Sequence, residues 1–170
     1  MTLTLRQRIL LTIVPLLVIV AVLGSAGVAL LLRLGNSAGA ILRENYDSVI
    51  AMQRLNEALE RIDSALQFML NARDDEELRN KAKDQYDLNW EAYRQALEVE
   101  RNNITLDGEG ELVSRLQQLS GEYRSLGDDF FSKSPGTVEL RQEYFRQPGG
   151  LLSFFNAIKT ISGDILRLNQ

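Results

Sequence analysis

The chain has neither cysteine nor histidine among its 170 residues. Without cysteine it can form no disulfide framework and no thiolate metal site. Without histidine it has no Ser-His-Asp or Cys-His catalytic arrangement, no ordinary zinc site and no phospho-accepting histidine. These absences predict that the chain itself is not an enzyme and that it has no catalytic residue, no metal site and no cofactor.

Charged residues are absent from one long segment near the N-terminus. The run from Ile9 to Leu32 contains no charged side chain. A helix of that length reaches roughly 36 Å, enough to cross a hydrocarbon core of about 30 Å. A cleaved signal peptide fits less well, because the run is long and no small-x-small cleavage pattern ends it. The sequence therefore predicts a transmembrane helix over 9–32.

The flanks of this run indicate an orientation in the membrane. Arg6 and Arg8 precede the run, and Arg33 follows it, while the first acidic residue of the chain is Glu44. Positive charge tends to stay on the cytoplasmic side of a membrane. We therefore expect residues 1–8 in the cytoplasm and the part after the run outside it.

The part after the run is acidic. All 23 acidic residues but only 16 of the 19 basic residues lie after residue 34, which gives this part a net charge of −7. An acidic domain is a poor partner for nucleic acid and for anionic lipid surfaces. We therefore expect no nucleic-acid partner.

Glycine and proline are scarce where apolar residues recur in steps of three and four, as in a helix with one buried face. The helices predicted in this way cover about 41–71, 75–101, 110–131 and 151–170, with a short one at about 135–146. Ser134 is the expected N-cap of the short helix and Pro135 its first residue. No segment alternates as a strand does. The predicted fold is therefore all-α, with the transmembrane helix followed by an antiparallel four-helix bundle over 33–170.

The last predicted helix is still amphipathic at Leu168, close to the final residue Gln170. In an up-down-up-down bundle that begins at a membrane, the fourth helix returns to that membrane. We therefore expect a second span to follow and the chain to be the front part of a longer protein.

Two motifs in the first predicted bundle helix resemble a known family. ENY-x-SV stands at Glu44–Val49 and LER-x-DSA at Leu59–Ala65. Both resemble the first sensor helix of KinB-type bacterial sensor histidine kinases. The opening TLRQRILLTIVPLLVIV and the closing ILRLNQ are also similar to the ends of such sensor regions, whereas 72–150 is similar only in its helical pattern.

The resemblance implies a homodimeric receptor in the bacterial inner membrane with a periplasmic sensor domain. In such a receptor a stimulus, for example a small-molecule ligand, displaces one helix against another and changes the output of a cytoplasmic kinase. The second span, a HAMP linker, the phospho-accepting helix and the ATP-binding domain would lie outside this chain. The parent protein would be an ATP-dependent protein-histidine kinase, and a response regulator would be a partner only through that missing part.

A function of another class stays open. The chain could be the sensor region of a chemoreceptor-like or other non-kinase membrane protein, or a structural helical anchor. The lipid bilayer is a partner in each of these interpretations. The coding sequence downstream of Gln170 would discriminate between them.

A stripe of small residues follows the apolar seam of the first bundle helix. Ala51, Ala58 and Ala65 recur every seven residues. Such a stripe allows another helix to approach closely, either a helix of the same bundle or one of a second subunit. These alanines are therefore candidates for a dimer interface.

Two arginines stand beside this stripe. Arg54 and Arg61 are also seven residues apart. They can pair on the surface with Glu57 or Glu60, or they can bind an anionic ligand through bidentate hydrogen bonds. They are therefore candidates for a ligand site or a dimer interface.

Further candidates for signal transfer come from the motifs and from the two helix ends. Asn45 and Ser48 are polar residues at positions that continue the apolar seam, and a polar patch in a seam can fix register or allow two arrangements. We expect Asn45, Tyr46 and Ser48 to pack against Leu166, Leu168 and Asn169. The signal-transfer candidates are Glu44, Asn45, Tyr46, Ser48, Asp63, Leu168 and Asn169.

Overall fold

The computed structural model describes the backbone over residues 5–72, 75–134 and 137–170. Side chains are described in the same ranges except at 5–12, 15–17, 34 and 36–44. The chain divides into two compact units, Met1–Arg43 and Glu44–Gln170.

Within the described residues every regular element is an α-helix, so the predicted all-α class is confirmed. The helices are α1 at Leu5–Asn71, α2 at Glu76–Arg101, α3 at Glu109–Ser132, α4 at Val138–Phe145 and α5 at Leu151–Leu168. α1 runs without a break over both the predicted span at 9–32 and the predicted helix at 41–71. α5 ends two residues before the predicted end at 170, with Asn169 as its C-cap.

The start of α4 differs from the prediction. Its N-cap is Thr137, whose backbone is extended and whose hydroxyl accepts a hydrogen bond from the Leu140 N–H at 3.2 Å. The prediction of Ser134 as the cap was therefore wrong, and Pro135 lies outside the described residues. Serine and threonine hydroxyls both cap helices well, so the sequence offered two equivalent starting points three residues apart.

In the first unit the described side chains are all exposed. They include large apolar residues at the C-terminal end of the uncharged run, of which Leu30, Leu31 and Leu32 are 65–70% exposed. Among the described residues, no helix combines the length and the apolarity that crossing a membrane requires.

The core of the second unit is built around the apolar seam of α1. The large side chains of this seam follow one another at steps of three and four and are fully buried: Met52, Leu55, Leu59, Ile62, Leu66 and Met69. Buried side chains of α2, α3, α4 and α5 belong to the same core. Burial of one such side chain contributes about 1.5–3 kcal/mol to stability, so the seam supplies a large part of the driving force for folding.

Hydrogen bonds and one ion pair show how neighbouring helices run in the second unit. In each pair of neighbouring helices, the residue numbers of the partners fall along one helix as they rise along the other, as expected for antiparallel neighbours. The pairs are Ser48 with Asn103 and Arg61 with Gln85 for α1 and α2, Tyr86 with Arg124 and Tyr93 with Ser120 for α2 and α3, and Met52 with Ser162 and Glu60 with Lys159 for α1 and α5.

An aromatic cluster fills the space between α2 and α3. The rings of Tyr86, Tyr93 and Tyr123 lie around Trp90, with centroid distances of 6.1, 5.0 and 5.9 Å. These tilted and edge-to-face arrangements are the ones that aromatic pairs prefer. The Tyr86 hydroxyl donates a hydrogen bond to the Arg124 carbonyl at 3.2 Å, which fixes its ring against α3.

We expect Gly127→Ala to destabilise the protein. A Cβ atom at 127 would lie 2.9 Å from Cζ of the buried Tyr86 ring. Such overpacking costs about 1–3 kcal/mol, partly offset by the better helix propensity of alanine. At Gly121, on the same helix, no atom lies within 4 Å of the place that a Cβ atom would occupy. Gly121→Ala should therefore stabilise by up to about 1 kcal/mol.

The measurement for this pair is the free energy of unfolding from chemical denaturation, followed by circular dichroism. The two substitutions should shift it in opposite directions. Equal shifts would mean that the contact between α2 and α3 at Gly127 has room for a methyl group.

Candidate functional site

A groove of about 1040 Å³ lies on the surface between α1 and α2. α1 contributes Arg54, Glu57 and Arg61 to its lining, and α2 contributes Asn89 and Gln95. Because these groups are charged or carry amides, the groove offers hydrogen-bond donors and acceptors along both sides. It is the first of two candidate sites.

The small-residue stripe of α1, formed by Ala51, Ala58 and Ala65, lies partly in the wall of this groove and partly in the core. Ala51 and Ala58 line the groove and are only 3% exposed, whereas Ala65 is completely buried in the core. Their small side chains let α1 and its neighbours within the chain approach closely. A dimer contact through this stripe stays a prediction.

The two predicted arginines lie along the same groove. Arg61 Nη2 lies 2.6 Å from Glu57 Oε1, one turn earlier in α1, with both side chains more than half exposed. An exposed pair of this kind contributes about 0–1 kcal/mol. Glu60, the other predicted partner, binds Lys159 of α5 at 2.6 Å instead. Because both arginines line one groove, a ligand in it could contact both.

The second candidate site is a polar cluster at one end of the second unit. It consists of Ser48, Glu100, Asn103, Glu109 and Asn169, which come from α1, the end of α2, the start of α3 and the end of α5. Four of these side chains are nearly or fully buried, with Ser48, Glu100 and Glu109 completely covered and Asn169 6% exposed. Asn103 Nδ2 donates to Ser48 Oγ at 2.9 Å. The cluster therefore connects four helices through polar groups inside the fold.

Glu109 has hydrogen-bond donors at both of its carboxyl oxygens. Its Oε2 accepts hydrogen bonds from the backbone N–H groups of Thr105 at 2.8 Å and Leu106 at 3.1 Å. Its Oε1 accepts one from Asn169 Nδ2 at 2.6 Å. The preceding Gly108 has φ +84°, a value that favours glycine, and it turns the connection back so that these N–H groups face Glu109. As the first residue of α3, Glu109 also lies at the positive end of the helix dipole.

Glu100 has the opposite environment. Neither of its carboxyl oxygens has a hydrogen-bond partner among the described residues. Burial, and to a lesser extent the negative charge of Glu109, raises the pKa of Glu100 to about 7, although the nearby Ser48 hydroxyl lowers it. Glu100 also lies in the last turn of α2, where the helix dipole disfavours negative charge. The two carboxyl groups thus differ in their hydrogen-bond partners: Glu109 has three donors, and Glu100 has none among the described residues.

The structure describes no group that offers an obvious metal site. Among the described residues, no three Asp, Glu, His or Cys side chains are close enough together to hold a metal ion. The chemistry that the polar cluster offers is therefore hydrogen bonding and the gain or loss of a proton.

Two signal-transfer candidates, Ser48 and Asn169, belong to the polar cluster. Ser48 accepts a hydrogen bond from Asn103, and Asn169 donates one to Glu109. The described hydrogen bonds of these two residues therefore do not join them to each other, and the predicted packing of Asn45, Tyr46 and Ser48 against Leu166, Leu168 and Asn169 stays a prediction. Tyr46 departs from that packing, because it is 64% exposed and lines the groove towards α2.

The other candidates from the two helix ends lie outside the polar cluster. Leu168 is 40% exposed. Asn45 is half-buried, and its Oδ1 has no hydrogen-bond partner among the described residues. The side chain of Glu44 lies outside the described residues.

Asp63, the remaining candidate, belongs to a separate network that ties α1 to α4. Its Oδ1 accepts a hydrogen bond from the Tyr144 hydroxyl at 2.8 Å, and its Oδ2 accepts one from Gln67 Nε2 at 2.6 Å. Burial raises the pKa of Asp63, while these two hydrogen bonds lower it. The two donors are therefore what keeps a buried carboxyl group acceptable at this position.

Sequence reasoning missed Glu100, Asn103 and Glu109. One signal for Glu100 was present, because it follows Tyr93 by seven residues and Ala96 by four and so places an acid on the buried face of α2. Glu109 gave no such signal, since an acidic residue at the start of a helix is common. Its partners come from the connection between α2 and α3 and from the C-cap of α5, whose positions the sequence does not determine.

Replacing Tyr144 by phenylalanine removes one of the two donors to Asp63. We expect a loss of about 1–3 kcal/mol in the free energy of unfolding, because the buried carboxyl group then has one partner fewer. The pKa of Asp63 should rise further, measurable by NMR titration of its carboxyl carbon. The matched control is Tyr46→Phe, at an exposed tyrosine of the same chain, which should change stability by less than about 0.5 kcal/mol. Similar effects of both substitutions would show that the Tyr144 hydroxyl has no special role.

Relatives give no independent indication of function. Comparison with models of protein families, with curated proteins and with solved structures finds no match for this chain. The resemblance to KinB-type sensor kinases therefore depends on the motifs in Ile41–Leu70 and on the two chain ends. The roles of the groove and of the polar cluster have to be inferred from their own geometry.

Proposed function

We propose that this chain is the extracytoplasmic signal-sensing part of a two-component sensor histidine kinase. The observation that carries the proposal is the order of segments along the chain. A 24-residue uncharged run, Ile9–Leu32, is followed by an acidic, all-helical unit whose first helix bears the ENY-x-SV and LER-x-DSA motifs. This order is typical of a membrane receptor whose sensor domain follows its first span.

The second unit is, in this proposal, an antiparallel four-helix bundle. The part of α1 from Glu44 onwards, α2, α3 and α5 are its four helices, and the short α4 packs beside α5. The support comes from the reversed order of contacts in the pairs α1–α2, α2–α3 and α1–α5 and from the single core to which all of them contribute. Bundles of this kind have short connections between neighbouring antiparallel helices.

The uncharged run is proposed as a single-pass anchor in a bacterial inner membrane. Its length and the lack of charge support this. The apolar side chains described at its C-terminal end are exposed, as an anchor in contact with lipid requires. Arg6 and Arg8 favour a cytoplasmic N-terminus and a periplasmic second unit.

Sensing would consist of a small displacement of one bundle helix against another. The groove between α1 and α2 supports this role, because a small anionic ligand or a second subunit in it would contact both helices at once. The receptor would act as a homodimer. Its kinase activity, the ATP site and the contact with a response regulator would belong to a cytoplasmic part that this chain does not contain.

A chemoreceptor-like function or a structural anchor remains the alternative, because a helical sensor region of this kind also precedes other output domains. The coding sequence after Gln170 discriminates between the candidates. A second span followed by H-E-x-x-x-P and glycine-rich ATP-binding motifs would support the kinase. A long glutamine-rich coiled coil would indicate a chemoreceptor, and a stop codon would favour the anchor.

The proposed topology can be tested with reporters fused after Gln170. We expect alkaline phosphatase fused there to be active and green fluorescent protein to be dark, because the first needs the periplasm and the second folds in the cytoplasm. Fusions after Arg8, before the uncharged run, are the control and should show the opposite pattern. A fluorescent, phosphatase-inactive fusion after Gln170 would contradict the extracytoplasmic location.

The proposed dimer can be tested with single cysteines, since the chain has none of its own. If the groove receives a second subunit, Arg54→Cys and Arg61→Cys should form disulfide-linked dimers in oxidising membranes. Glu122→Cys, at an exposed position of α3, is the matched control and should stay monomeric. Equal cross-linking at all three positions, or at none, would argue against a dimer through the groove.

A further inference from the structure

We propose that Glu100 and Glu109 form a proton-binding site in which one proton is shared between two buried carboxyl groups. The proposal goes beyond the sensing role proposed above and does not depend on it. It concerns the polar cluster, where α1, α2, α3 and α5 meet through buried polar groups.

The polar cluster contains two acids and no basic side chain. Both side chains are fully covered. Two carboxylates in contact in such a place repel each other, and neither has water to screen its charge. The negative charge of Glu109 acts on Glu100 and disfavours its charged form. One proton between the two groups removes the repulsion.

The hydrogen-bond donors of the cluster are unevenly distributed between Glu109 and Glu100. The two oxygens of Glu109 already accept three hydrogen bonds, from two backbone N–H groups and from Asn169. Both oxygens of Glu100 lack a partner among the described residues, and so does Oδ1 of the buried Asn169. A protonated Glu100 would supply a donor beside the acceptor oxygens of Glu109. The proton therefore belongs on Glu100, which donates it towards Glu109.

The groups that face Glu100 from each neighbouring element agree with this assignment. From α1 the hydroxyl of Ser48 lies near Glu100, and from α3 the carboxyl group of Glu109 does. Asn169, at the end of α5, donates its hydrogen bond to Glu109. None of these groups carries a positive charge. Loss of the proton therefore leaves two negative charges in a dry contact between helices.

This site makes the packing of the helices depend on pH. The pKa of Glu100 is raised to about 7 in the folded chain, from an ordinary value of 4.5. Protonation of a group whose pKa is raised by folding stabilises the folded state fully below the ordinary pKa, and the stabilisation is lost as the pH rises through the folded value. The end of the unit where the four helices meet should therefore loosen between about pH 5 and pH 8.

The test uses the whole chain in detergent micelles, with thermal unfolding followed by circular dichroism between pH 5 and pH 8 at constant ionic strength. The unfolding midpoint of the natural chain should fall by roughly 5 °C or more over this range. Glu100→Gln keeps the shape and the neutral charge of the protonated acid, so this fall should disappear. Glu111→Gln, at an exposed acid of α3, is the matched control and should keep it.

A second measurement needs no stable variant. In the natural chain labelled with ¹³C at glutamate side chains, one carboxyl group should titrate near pH 7, and that signal should be missing in Glu100→Gln. The proposal is overturned if no glutamate titrates above pH 6, or if Glu100→Gln and the natural chain have the same dependence of midpoint on pH. It is also overturned, in favour of a cation site, if added Mg²⁺ or Ca²⁺ at pH 8 restores the midpoint of the natural chain but not that of Glu100→Gln.

Discussion

The apolar seam of α1 is the constraint on which the rest of the second unit depends. From Ala51 to Met69 this seam is buried along its whole length, and one helix cannot bury such a stripe by itself. α2, α3 and α5 therefore have to present apolar faces to this seam, and all three contribute buried side chains to the same core. The small residues at the edge of the seam let these neighbours come close enough to exclude water.

Two carboxyl groups on or near this core differ in how they are accommodated. Asp63 receives hydrogen bonds from Tyr144 and Gln67, so its burial is compensated locally and the network joins α4 to α1. Glu100 receives none from the described residues, although it is buried more completely. A satisfied acid fixes an arrangement of helices, whereas an unsatisfied one makes the arrangement depend on its protonation. The hydrogen bonds of Asp63 thus join α1 to α4. The packing around Glu100, in the proposal made above, depends on pH.

Periodicity was enough to predict the fold class and the approximate positions of the helices, because a stripe at steps of three and four residues is typical of a helix with one buried face. It failed where equivalent local signals compete, as between Ser134 and Thr137 before α4. Arg54 and Arg61 could be placed on one face from their spacing alone, and the structure has both in one groove. The partners of Glu109 could not be predicted, since Thr105, Leu106 and Asn169 are brought together by the connection before α3 and by the C-cap of α5.

The aromatic cluster has a practical consequence. Trp90 is the single tryptophan of the chain, it is 9% exposed, and it lies among three tyrosine rings between α2 and α3. Its indole emission therefore comes from one known place inside the fold, and the tyrosines lie close enough to pass it their excitation energy. Any sliding of α2 against α3 changes the surroundings of that one fluorophore. The chain thus contains its own optical reporter of helix movement, with no label to attach.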